Sequence, residues 1–342
     1  MNPSEPTPTD LHASARPLSR RHWLGLLGAS ALGASPLLQA QTAPWPSRPL
    51  RLVVPFPPGG ATDSSARLLA EHLARRLGQA VVVENKPGAA TVIGVEAVTK
   101  ATPDGHTLLV AGGGSFAVLP ALKPNLAYDV QKDLVPISML VTAPVVLVTP
   151  ASSPYRRLAD LVAAARAQPG RLRYATYGAG SAPHLAGEML AAAAGLVMEP
   201  IAYKGASDAL LALLRGEVEL GFETYSAATP QVKAEKLRIL AHNGEQRSAF
   251  LPEVPGMGEL GLAAASIEAF YGIMAPAGTP AAVCARLERE VREIMALPEV
   301  REKLMALALE PTRSGADEMS RMIRAETAKY RAVAQRANIV LN

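Results

Sequence analysis

The sequence predicts an α/β protein of two similar lobes, each a mostly parallel sheet flanked by helices, with a ligand cleft between them. Three observations carry this. From Trp45 onward, short runs of Val, Leu and Ile alternate with amphipathic helical stretches, the pattern of a parallel sheet. The alternation halts in an irregular segment over residues 120–133 and restarts beyond Val145. A strand that breaks at a glycine-rich turn and enters a capped helix occurs once in each half, over residues 51–63 and 172–184.

The chain opens on an export segment. Ser19-Arg20-Arg21-His22-Trp23-Leu24 precedes a modestly apolar run over residues 24–38, and Leu38-Gln39-Ala40 has the small-residue character of a cleavage site. Paired arginines ahead of such a run read as a twin-arginine export signal cut after Ala40, with a general secretory signal as the alternative. The run is too short and too glycine-rich for a membrane span. Both routes place the mature chain outside the cytoplasm. Removing residues 1–40 from the 342 leaves 302, enough for two domains with real cores. The segment carries Arg16, Arg20 and Arg21 against Glu5 and Asp10, so the net charge falls from +4 to +3. That small excess is spread along the chain and gives no reason to expect nucleic acid or a membrane surface as partner. The one cysteine, Cys284, has no internal disulfide partner and falls on an apolar helix face.

The first half reads as a strand at 51–54, a helix at 64–77 stopped by Gly78, a strand at 80–84, a short helix at 92–100 and a strand at 107–111. Thr62 or Asp63 is the expected cap of the first helix. The third strand ends in Gly112-Gly113-Gly114-Ser115-Phe116, a second glycine-rich loop at the same sheet edge. Strand-like runs at 135–140 and 145–149 mark the crossing into the second half. There a helix at 158–167, a strand at 172–176 and a helix at 185–194 follow, with Ser181 as cap and Pro183 in the first turn. Strands at 199–202 and 218–222, a helix at 208–214 and a strand at 237–241 complete it. A strand at 270–275, helices at 280–296 and 299–307, and a long charged amphipathic helix at 317–336 return to the first lobe. The implied division is residues 44–143 with 246–342 for the first lobe and 144–245 for the second.

The chemistry concentrates at strand ends. Pro58, Gly59, Gly60, Ala61, Thr62 and Asp63 make a backbone anion cradle, because glycine lets the chain approach a ligand and a helix start offers unpaired amides. No Lys or Arg occurs between Leu52 and Ser65, which suits a small carboxylate or phosphate better than a polyanion. The same turn serves any α/β protein, so the stretch alone leaves a tight connection as the other reading. Tyr177, Gly178, Ala179, Gly180 and Ser181 repeat the cradle, and His184 follows in the first turn of the next helix, as a direct contact or a brace behind the loop. Aromatics make up 4% of the chain, yet Phe56, Phe116, Tyr177 and Tyr225 all fall at or just past a strand's carboxyl end, as rings lining a slot or closing the core. Enzyme signatures fail on inspection. Gly113-Gly114-Ser115-Phe116-Ala117 and Ala179-Gly180-Ser181-Ala182-Pro183 both miss the nucleophile elbow, and the glycines at 112 and 114 sit after the third strand, not the first, as a dinucleotide site would require. The four mature histidines, His72, His106, His184 and His242, have no metal-ligand spacing, so neither metal nor cofactor is expected. Asp63 and Glu223 form a conceivable acid–base pair with no nucleophile to serve.

Several segments together resemble the Bug family, the periplasmic receptors of tripartite tricarboxylate transporters. They are Pro46-Ser47-Arg48-Pro49-Leu50-Arg51, Val54-Pro55-Phe56-Pro57-Pro58-Gly59-Gly60-Ala61-Thr62-Asp63, Val83-Glu84-Asn85-Lys86-Pro87-Gly88-Ala89, Tyr128-Asp129, Gly180-Ser181 with His184-Leu185-Ala186-Gly187-Glu188, Tyr203-Lys204-Gly205 and Ala275-Pro276-Ala277-Gly278-Thr279-Pro280. The resemblance implies a type II periplasmic binding fold and no enzymatic activity. It also implies a carboxylate held by backbone amides and bridging waters. On this chain that means residues 58–63 with Ser115 and Phe116 in one lobe, and residues 177–181 with His184, Lys204, Glu223 and Thr224 in the other. Tyr177 stands where smaller residues are common, and Glu223-Thr224-Tyr225 replaces a segment that is more often Asp-Asn-Leu.

The expected function is capture of a small organic carboxylate (a di- or tricarboxylate, an acidic amino acid or an aromatic acid) by a monomeric receptor that delivers it to transporter membrane subunits. The rings Phe116, Tyr177 and Tyr225 tilt the ligand toward an aromatic or apolar acid. The alternatives are a periplasmic hydrolase or transferase using Ser115 or Ser181, and an orphan binding protein acting as a sensor. A transcription-regulator effector domain shares such a fold but needs a helix-turn-helix where this chain has an export segment.

Overall fold

The central strands of the two sheets are buried on both faces, while the edge strands are partly exposed, and this decides the layering. The computed structural model describes residues 45–248, 250–267, 269–339 and 341, so the export segment read over residues 1–40 lies outside the described residues. Strand β1 (Leu50–Val54) shows why the sheets are covered twice. Leu52 and Val54 point into one apolar cluster with Leu69, Leu73, Leu287 and Val291, while Val53 points into another with Val95 and Val98. The first cluster draws on helices α1 (Ala61–Leu77) and later α9 (Ala281–Ala296), the second on α2 (Val92–Thr99). A near-continuous apolar strand between two helical layers is the signature of a parallel sheet.

The first sheet contains β1, β2 (Val81–Asn85), β3 (Thr107–Gly112), β4 (Leu134–Ala143), β10 (Ala269–Pro276) and β11 (Glu310–Pro311), in the order β11-β4-β10-β3-β1-β2. The second contains β5 (Val145–Pro150), β6 (Leu172–Thr176), β7 (Met198–Ala202), β8 (Leu220–Thr224) and β9 (Leu237–His242), in the order β7-β6-β8-β5-β9. β1 pairs in parallel with β2 and β3, and β6 pairs in parallel with β7 and β8. One antiparallel strand is inserted beside the third in each sheet: β10 between β3 and β4, and β5 between β8 and β9. Each inserted strand is the first laid down after the chain changes sheet. The two lobes therefore share one topology, built twice. Between β4 and β5 the crossing is a single residue, Pro144, whose missing N–H ends one ladder before the next begins.

The remaining helices are α3 (Leu119–Leu122), α4 (Val130–Asp133), α5 (Leu158–Ala167), α6 (Ala182–Ala194), α7 (Ala206–Leu214), α8 (Tyr225–Lys233), α10 (Pro298–Ala306) and α11 (Ala316–Ala337). Four features differ from the sequence-based expectation. Helix α1 begins at Ala61 with Gly60 as its cap, so neither Thr62 nor Asp63 caps it. The expected loop through Ser115 and Phe116 is a tight π-helical turn over Gly114–Val118 that runs straight into α3. Tyr225 opens helix α8, where an irregular strand end was expected. Helix α11 does pack on the first lobe through Met319 and Ile323, but Tyr330, Val333 and Ala334 join the core of the second. Its buried positions run from Met319 to Ala334, so it bridges both lobes. Among the described residues, no helix is long and apolar enough to cross a membrane.

Candidate functional site

Both strand–helix turns are braced by the same device. In the first lobe, Asp63 is the third residue of α1 and its Oδ2 accepts from the Gly59 amide at 2.9 Å, one position outside the cap. Asn85 Nδ2 at the end of β2 donates to Asp63 Oδ1 at 2.9 Å and to the Phe56 carbonyl at 3.0 Å, and Arg67 Nε donates to Asp63 Oδ2 at 2.9 Å. Burial alone would raise the Asp63 carboxyl, but the bonds from Arg67, the Gly59 amide and Asn85 outweigh it and hold the group below the usual carboxylate range. In the second lobe, His184 is the third residue of α6, and its Nδ1 accepts from the Gly180 amide at 3.0 Å, again one position outside the cap. Burial lowers the His184 pKa, with Glu188 pulling the other way, so the ring stays neutral and free to accept. Ser181 Oγ donates to the Gly178 carbonyl at 2.7 Å and accepts from the Tyr177 amide at 3.2 Å. Each turn thus folds on its own side chains and leaves the first amides of its helix without an intrahelical partner.

Those two helix starts open onto one cavity of about 980 Å³ between the lobes. Of the residues singled out from the sequence, Phe56, Pro58, Gly60, Ala61 and Thr62 line it from the first lobe, and Tyr177, Ala179, Gly180, Ser181, Glu223 and Thr224 from the second. Gly59, Asp63, Gly178 and His184 stand behind the wall in the bracing just described. Ser115 and Phe116 are off the wall entirely, both at 0% exposure. The π-helical turn rotates them inward, where Phe116 packs among Val53, Val95 and Leu109 and Ser115 Oγ donates to Thr91 Oγ1 at 2.9 Å. Tyr225 packs beside Phe250, with ring centroids 6.4 Å apart, and Lys204 lies exposed outside the cavity. Asp63 has its carboxylate engaged by Gly59, Arg67 and Asn85 and does not line the cavity that Glu223 lines. Neither candidate serine has a base: Ser115 bonds to Thr91, and the histidine nearest in sequence to Ser181 uses Nδ1 to accept from Gly180.

The cavity also has walls that sequence patterns did not flag. Ala89, Ala90 and Thr91 run consecutively at φ 45°, 53° and 87° and face it. Three non-glycine residues in the left-handed region store strain, which tends to persist where surrounding structure dictates a ligand-facing shape. Nothing in their types signals this. Phe270 and Tyr271 of β10 form part of the floor, and Tyr330 and Leu341 reach in from the C-terminal end. The pairing of Phe270 with Tyr271 at the head of a strand was visible, but its position beside β3 depends on topology.

The polar centre of the cavity is Glu223, at the carboxyl end of β8 and 2% exposed. The Tyr177 hydroxyl donates to its Oε2. Burial pushes the Glu223 carboxyl up to about 7, with the Tyr177 bond pulling the other way. Burial, the Glu223 charge and the bond to it push the Tyr177 phenol in turn far above its ordinary value. The other charged lining residue is Lys123. Among the described residues no group of three or more His, Cys, Asp or Glu side chains is placed to hold a metal ion.

Comparison with known proteins fits this geometry. The model of the tripartite tricarboxylate transporter family receptor matches residues 65–339. BugT of Bordetella pertussis is 36% identical over 311 residues, spanning 91% of this chain and 94% of that one. A solved R. palustris protein with adipate superposes at TM-score 0.75 with 31% identity, over 86% of this chain and 99% of that one. MatC from Rhodopseudomonas palustris with bound malate superposes at TM-score 0.71 with 29% identity, over 84% and 99%.

Proposed function

The chain belongs to the tripartite tricarboxylate transporter receptor family, a family of solute-binding receptors and not of enzymes, and from that premise we propose that it captures a small organic carboxylate in the periplasm. The observation that carries this reading is the convergence of two helix starts, at Ala61 and Ala182, on one interlobe cavity. Unpaired amides and the positive end of the helix dipole favour a carboxylate without any guanidinium or ammonium in the cradle. The ligand's body rests against rings, with Phe56 and Tyr271 from the first lobe and Tyr177 and Phe222 from the second. Phe116 and Tyr225 lie away from the cavity, so the leaning toward an apolar or aromatic acid rests on these four.

Because the acid touches both lobes, it stabilises the arrangement in which they approach, and that form is what the receptor presents, as a monomer, to transporter membrane subunits. The solved relatives with adipate and malate support a carboxylate as the ligand class. A thermal-shift screen of the purified protein against di- and tricarboxylates, amino acids and aromatic acids tests the proposal. A ligand bound only by the folded state raises the melting temperature with concentration, and at a hundred times its Kd it adds about 2.7 kcal/mol. Silence across every acid class would overturn carboxylate capture.

A further inference from the structure

We propose that Glu223 and Tyr177 select a carboxylate that also carries a protonated amine, with the acid at the helix starts and the amine on the Glu223 carboxylate. This rests on the receptor reading above and goes further by naming a second group on the ligand.

The geometry separates two kinds of chemistry within one cavity. The helix starts at Ala61 and Ala182 present donors, since neither cap residue's side chain bonds the first amides of its helix. The Glu223–Tyr177 pair presents acceptors. The phenolic proton of Tyr177 is already directed at Glu223 Oε2, so what the pair offers a ligand is the remaining lone pairs of the carboxylate and of the phenol oxygen. A simple diacid would satisfy the first wall and set its second carboxylate against Glu223, whose ionised form it repels. An ammonium satisfies both walls at once.

Among the described residues, burial and the Tyr177 hydroxyl govern this carboxylate's titration, and no cation is among its influences. Its hydrogen-bond partner is the Tyr177 hydroxyl, and Lys123, which lines the same cavity, comes from the segment after α3 in the first lobe. The titratable groups on elements packed against β8 are otherwise engaged or turned outward. On β6 and α6, the Tyr174 hydroxyl donates to Glu188 Oε1 at 2.8 Å and His184 braces the turn. On α7 and α8, Asp208 and Lys233 are exposed, and Tyr225 lies against Phe250. Across β5, His242 contacts the Gln246 carbonyl through Nδ1 at 3.0 Å. A buried carboxylate without a cation is costly to ionise, and a ligand that brings the cation recovers that cost on binding.

The test compares matched acids on the full mature protein by calorimetric titration: aspartate with succinate, glutamate with glutarate, and phenylalanine with 3-phenylpropanoate. A hydrogen bond to a charged group predicts that the amine-bearing member of the pair that binds is preferred by at least about tenfold. Glu223→Gln, which keeps the size and the bond to Tyr177 while removing the charge, should shrink that preference to below about threefold. The comparison of ligands on the unmodified protein stands even if the variant folds poorly. Tighter binding of the acid lacking the amine, or a preference untouched by Glu223→Gln, overturns the assignment and leaves the carboxylate receptor intact. Failure of all six acids together with the wider screen removes the receptor reading, and this inference with it.

Discussion

Glu223 is the residue where folding and binding pull in opposite directions. Its carboxyl lies at the end of a buried strand, and the native state favours its neutral form, with burial raising it to about 7 from an ordinary 4.5. The sign follows from proton counting. A group whose folded pKa is raised contributes stability that is fully present below 4.5 and is lost as pH rises through about 7. Glu223→Gln has no proton to lose. The variant should therefore match the parent near pH 4.5 and gain on it by roughly 3 kcal/mol by pH 8, at 1.36 kcal/mol per pKa unit. Thermal melts of both proteins across that range check it, and a constant gap would mean that Glu223 ionises freely in the fold. Asp63 behaves in the opposite way: burial would raise it, but its three bonds hold it ionised. The two carboxyls that a sequence reading sets side by side are thus distinguished by one fact, whether hydrogen-bond donors surround the group.

At the scale of elements, packing between helix and sheet is tightest where glycine allows it. A Cβ built on Gly187 of α6 would lie 2.1 Å from the ring of Tyr174 on β6, whose hydroxyl is fixed on Glu188. Gly187→Ala should therefore cost about 1–3 kcal/mol, the usual penalty for overpacking a filled core. Urea denaturation measures it. An unchanged midpoint would show that α6 slides on the sheet and that the second turn is not rigidly held. Most elements were legible in advance because apolar runs of period two and stripes of period 3.6 survive in the strands and long helices. Helix α8 was not, since Pro230 reads as a break, yet it falls in the second half of a nine-residue helix that Ala228 anchors in the core. Phe116 was misplaced for a related reason. A residue just past a strand is expected to face the crevice, but the extra residue in a π-helical turn swings it into the apolar layer under β3. The two cradles were legible from composition, whereas Ala89–Thr91, Tyr271 and Tyr330 reach the cavity by backbone strain or by chain topology, which leave no local mark.

The whole molecule depends on how strongly the two lobes are joined. The chain passes between sheets at Pro144 and again over residues 243–268, and connections of that kind alone would let each lobe melt separately. The apolar core argues otherwise. A single cluster holds Val118 and Leu122 from the first lobe, Leu185, Leu190 and Phe222 from the second, and Tyr330, Val333 and Ala334 from α11. Gly180 at the second turn meets the same seam: its φ is +72°, and a Cβ there would lie 2.7 Å from Leu341 and 3.0 Å from Leu122. From Trp45 onward the chain is one compact unit by its contacts, as a shared core requires. Differential scanning calorimetry of the ligand-free protein should then show a single endotherm with equal calorimetric and van't Hoff enthalpies. Val333→Asp places a carboxylate in the shared core, at 7% exposure, where an unpaired charge costs several kcal/mol. In that variant the transition should broaden or split, with the second lobe melting first, because it loses the helix that covers it while the first lobe keeps Met319 and Ile323. Two endotherms in the unmodified protein would mean instead that the seam is weak. Closure around a ligand would then have to create the coupling that a shared core supplies beforehand.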